Sequence, residues 1–113
     1  MLRRVLAAAV VSSALIAAPA AAQDRSASQA QDLSYCAGAV AAVGNLDILS
    51  HPQGASGEWA PVLTRILQRL NTEPGVEGMT GRYAANAAKD FWREQPRAER
   101  EAAANTCRDR FGS

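Results

Sequence analysis

Two cysteines, Cys36 and Cys107, stand near the two ends of the helically patterned part of this 113-residue chain. If they join, the start of the domain is held against its end, and every element between them must fit inside one closed loop. Pairing depends on the compartment, because thiols stay reduced in the cytosol and oxidise outside it. The N-terminus speaks to that. Met1-Leu2-Arg3-Arg4 is a short basic start, residues 5–18 are an apolar stretch, and Pro19 leads into Ala20-Ala21-Ala22 before polar Gln23. This is the pattern of a secretory signal peptide, with cleavage expected after Ala22. A membrane span needs about 20 apolar residues, and this run is shorter and carries Ser12 and Ser13. Lipidation would need a cysteine at the cleavage point, and the first is Cys36. The expected location is therefore the bacterial periplasm or the medium, with no stable membrane anchor once the signal is removed.

In that compartment an even pair of cysteines reads as a disulfide. The redox alternative favours a Cys-x-x-Cys pair or a neighbouring base, and neither is visible. A loop of this length is worth up to ~4 kcal/mol of unfolded-state entropy. A domain this small has room for one modest core and gains from such a staple. The expected organisation is residues 1–22 as signal peptide, 23–31 as a polar flexible tail, and 32–113 as one helical domain.

Hydrophobic spacing gives four helices and no strand. The first is expected from an N-cap at Asp32, with Leu33, Cys36, Val40 and Val43 on one stripe and Ala37, Ala41 and Gly44 as a small-residue strip beside it. It is expected to run on through 45–49 and to end at His51-Pro52, since the residue before proline avoids helical angles. The second carries the clearest stripe, Trp59, Val62, Leu63, Ile66, Leu67 and Leu70, with Pro61 in its first turn. In the third, Val76, Met79, Tyr83, Ala87 and Phe91 form the expected stripe. Gly75, Gly78 and Gly81 precede or open it without the Lys-Ser/Thr of a phosphate loop. The fourth starts at Pro96, with Ala103, Cys107 and Phe111 on one face and Arg97 and Glu101 spaced to pair. The fold class is all-α: a small four-helix bundle stapled by Cys36–Cys107.

Charge excludes little but disfavours nucleic acid. Twelve Lys and Arg face eleven Asp and Glu. Loss of Arg3 and Arg4 with the signal leaves about −1, and no helix face is purely basic. Catalytic signals are also thin. His51 is the only histidine. A metal site recruits several ligands at short spacing, and with both cysteines oxidised no such set is expected. No Gly-x-Ser-x-Gly turn supports a nucleophile. Asp47, Glu58, Glu73, Glu77 and Asp90 could form a carboxylate pair, but any chain of this size offers as many. No catalytic residue, metal or cofactor is expected.

The aromatic residues point elsewhere. Phe91 and Trp92 are neighbours, so they diverge by about 100° around a helix and cannot both face one core. Trp92 is expected at the core edge, and its alternative role is as a partner contact flanked by Lys89 and Arg93. The chain carries no motif diagnostic of a family. The function expected is a non-catalytic periplasmic binding or interaction protein with a protein or envelope partner. The competing readings are a stress chaperone, or a small inhibitor, immunity-type protein or enzyme of the cell envelope.

Overall fold

The structure, a computed structural model, describes residues 28–112. The signal peptide expected over 1–22, and residues 23–27 of the expected tail, lie outside the described residues. Among the described residues the chain is helical with no strand: α1 (28–44), α2 (Ala60–Leu70), α3 (Met79–Arg93) and α4 (Arg97–Phe111). None of these helices is long and apolar enough to cross a membrane.

Helix α1 is the enclosed element. Residues 36–41 are all buried, which covers every direction around the axis. Small side chains make this possible, since Ala37, Ala39, Ala41 and Gly38 let neighbours close in from several sides. A Cβ at Gly38 would lie 2.6 Å from the Ala88 Cβ of α3. The helix starts earlier than Asp32. Ala30 is buried, and its carbonyl accepts from the buried Ser34 hydroxyl at 3.0 Å. It also stops earlier than expected. Asn45 has φ 53°, and the Leu46 N–H returns to Ala41 O at 2.9 Å. Asparagine tolerates this left-handed turn, so the chain leaves the helix well before His51-Pro52. The released loop is still part of the core, because Leu46 and Ile48 are buried.

Helix α2 matches its stripe. Val62, Leu63, Ile66, Leu67 and Leu70 are buried, and Pro61 sits in the first turn. Trp59 is half-buried against the core, with the Arg108 guanidinium 4.6 Å over its ring. Helix α4 buries Ala104, Cys107 and Phe111, with Ala103 only half-buried. The Arg97–Glu101 pair forms at 3.5 Å with both side chains exposed. Cys36 and Cys107 are joined across 71 residues, with Cα atoms 5.3 Å apart.

Helix α3 departs from expectation. Its buried residues are Gly81, Ala85 and Ala88, with Trp92 half-buried beyond them. Met79, Tyr83 and Phe91, read above as the inward stripe, are 46%, 60% and 48% exposed. The reason is clearance. The Gly38–Ala88 approach leaves no room for a large side chain between α1 and α3. At the N-terminal end, a Cβ on Gly81 would run into the carbonyl oxygen of Val76. The alanine face therefore turns inward, and the large apolar residues turn out.

Candidate functional site

The outward turn of α3 creates an apolar surface groove. Ala84, Ala87 and Ala88 form a low floor beside α1, and Tyr35 and Phe91 stand along it. The groove is open and encloses about 560 Å³. Tyr35 is 44% exposed, and its ring meets that of Phe91 edge to face at 6.2 Å. Phe91 in turn packs edge-on against Trp92 at 5.1 Å. Three aromatic rings from two helices thus make one continuous patch. Tyr83, one turn before the groove-lining Ala87 on α3, is exposed as well but does not line the groove.

None of the residues singled out as a partner contact lines the groove, although Trp92 meets the Phe91 ring. Lys89 is half-buried, and its Nζ donates to Leu46 O at 2.6 Å. It ties the loop after α1 to α3. Trp92 is half-buried, and its indole N–H donates to Tyr35 O at 3.1 Å. That bond joins α1 to the end of α3. Arg93 is exposed, and its carbonyl accepts from Arg100 at 3.2 Å. The more open of the two neighbouring rings is Phe91, not Trp92.

Tyr35, Tyr83 and Phe91 were not read as surface contacts from the sequence. The signal that could have found them is the second stripe on α3. Gly81, Ala85 and Ala88 match the small residues of α1, and small faces pack against small faces.

The single histidine is not a surface residue. His51 is 5% exposed, and its Nε2 lies 2.8 Å from Thr64 Oγ1. Burial, and then the positive charge of Arg82, hold its pKa below the ordinary 6.5. Asp47 caps its own turn, accepting from the Ser50 hydroxyl at 2.5 Å and the Leu49 N–H at 3.4 Å. Among the described residues no three His, Cys, Asp or Glu side chains come together as a metal site. Comparison with protein-family models, with curated proteins and with solved structures finds no match to the chain.

Proposed function

We propose that this chain is an exported, non-catalytic binding protein that takes an apolar segment of a partner protein on the α1/α3 aromatic face. The observation that carries the reading is the exposure of Tyr35 and Phe91 along an alanine-floored groove, with Tyr83 exposed one turn from its Ala87. Tyr, Trp and Phe are among the side chains enriched at protein interfaces, and this face combines all three in Tyr35, Phe91 and Trp92. An open groove of about 560 Å³ accommodates the side chains of a peptide segment. A large apolar patch rimmed by polar groups is typical of an interaction site.

Export is supported by the pattern of residues 1–22 and by the Cys36–Cys107 bond, which is at home in an oxidising compartment. Cleavage after Ala22 would place Gln23 at the N-terminus of the mature protein, which intact mass of the exported protein checks directly.

The binding reading is tested by photo-crosslinking in the producing cell. A photoreactive residue at position 83 or 91 should give one discrete adduct, with the partner identified by mass spectrometry through an apolar peptide. The same probe at Ala102, exposed on α4, should give none. Adducts from position 102 as abundant as those from 83 and 91, or no adduct at all, would contradict the reading. Adducts that appear only on acid or heat treatment would favour the chaperone instead.

A further inference from the structure

A second cleft lies across the 71–78 turn from the aromatic groove, between α2, α3 and the loop after α1. It encloses about 390 Å³, within the range of small-molecule sites. The binding role proposed above makes no use of it. Its floor is apolar, made by Leu67, Leu70 and Val76. Its wall carries a fixed positive charge. One terminal nitrogen of Arg82, Nη1, donates to Ile48 O at 2.7 Å and to His51 O at 2.9 Å. Two neutral carbonyls therefore hold the guanidinium in place without cancelling its charge. The ion pairs among the described residues are Arg97–Glu101 and Arg110–Asp32. No carboxylate lines the cleft.

Among the neighbouring polar groups, Asn71 is left with a free donor. Asn71 Oδ1 accepts from the Gly78 N–H, which leaves the amide NH₂ of Asn71 as a donor. Thr64 gives its hydroxyl hydrogen to Ala60 O at 3.1 Å, so its oxygen accepts from His51 Nε2. His51 Nδ1 is then a buried acceptor with no partner among the described residues. A carboxylate has no hydrogen to give this atom, so the contact proposed below does not involve it.

We propose that this cleft binds a small organic monocarboxylate, with its carboxylate on Arg82 and a short apolar chain over Leu67, Leu70 and Val76. A guanidinium is the group best matched to a carboxylate, through paired N–H donors. Inorganic anions would meet the charge but leave the apolar floor uncovered. A neutral alcohol would cover the floor but leave the charge unanswered. The cleft shares only Val76 with the aromatic groove.

The test is an NMR titration of the disulfide-bonded chain, following the His51 ring and the Arg82 side chain, with hexanoate, hexanol and inorganic phosphate as probes. Hexanoate should give saturable shifts, and the other two should bind at least about tenfold more weakly. Arg82 also anchors the loop, so the deciding variant is Gln68→Glu, at an exposed position on the cleft rim. It should weaken hexanoate at least about tenfold while leaving the melting temperature unchanged. The proposal is overturned by any of three results. One is no saturation up to about 50 mM hexanoate, which spans the affinities expected of small ligands. The others are equal binding of hexanol or phosphate, and hexanoate binding that Gln68→Glu leaves intact.

Discussion

Gly38 sets the distance between α1 and α3. An added methyl would sit 2.6 Å from Ala88 Cβ and 2.5 Å from the Lys89 backbone nitrogen, too close for either helix to yield locally. Alanine is the better helix former by up to ~1 kcal/mol, so propensity alone predicts that Gly38→Ala stabilises. Overpacking costs about 1–3 kcal/mol, and the clash is with backbone as well as side chain. Net destabilisation in urea unfolding is therefore the expected outcome, and a stabilised variant would show that the helices can part. His51 gives a second residue-scale prediction. Its folded pKa lies below 6.5, so the unfolded chain takes up a proton more readily than the folded one. The stability it contributes is complete above about pH 6.5, falls as the pH drops below that value, and levels off below the folded pKa. Asp47, lowered from 3.8 mainly by its Ser50 hydrogen bond, acts only at more acid pH. The urea midpoint of the wild type should fall as the pH drops below about 6.5, and His51→Gln should flatten that step. An equal slope in both proteins would mean that His51 is not the group titrating.

At the scale of the element, α2 and α3 respond to substitution in opposite ways. Leu63 and Ile66 are fully buried at the centre of α2. Truncating either to alanine should cost roughly 2–5 kcal/mol, whereas Gln68→Ala on the exposed side should stay within about 0.5 kcal/mol. Arg65 is not an equivalent control, because its guanidinium donates to Gly112 O at 2.5 Å. Equal costs at Leu63 and Gln68 would mean the wrong face had been assigned. The α2 stripe was legible because its inward residues are large and its outward residues polar, so size and hydrophobicity agree. On α3 they disagree. Met79, Tyr83 and Phe91 have the stronger hydrophobic spacing, yet α1 comes too close through Gly38 for them to turn inward. Intrahelical pattern cannot report the clearance to a neighbouring helix, so the buried face of α3 was hidden while its existence as a helix was not. The end of α1 was missed for a related reason. Asn45 reverses the chain through a left-handed turn, and the apolar Leu46 and Ile48 that follow look like a continuing helix although they fold back onto the core.

At the scale of the whole molecule, the disulfide closes the enclosed helix α1 against the last helix. Cys36→Ser should lower stability by up to ~4 kcal/mol, since the unfolded chain regains the freedom of a long loop. A melting temperature unchanged by the substitution would show that packing alone holds α1 and α4 together. All four helices and their staple were legible from the cysteine positions and the Pro and Gly breaks. The candidate surface was only half legible. The neighbourhood of residues 89–93 stood out, but Lys89 and Trp92 are tied to Leu46 O and Tyr35 O, and the open rings are Phe91, Tyr35 and Tyr83. The central claim is that these rings serve binding rather than folding. The most direct measurement is urea unfolding of Tyr83→Ser/Phe91→Ser, alongside crosslinking from a photoreactive residue at position 87 of the same face. The account predicts unfolding within about 1 kcal/mol of the wild type, because both side chains are about half exposed or more, together with loss of the partner adduct. A loss of 2 kcal/mol or more, with the adduct retained in the folded fraction, would show that the rings belong to the core and not to an interface.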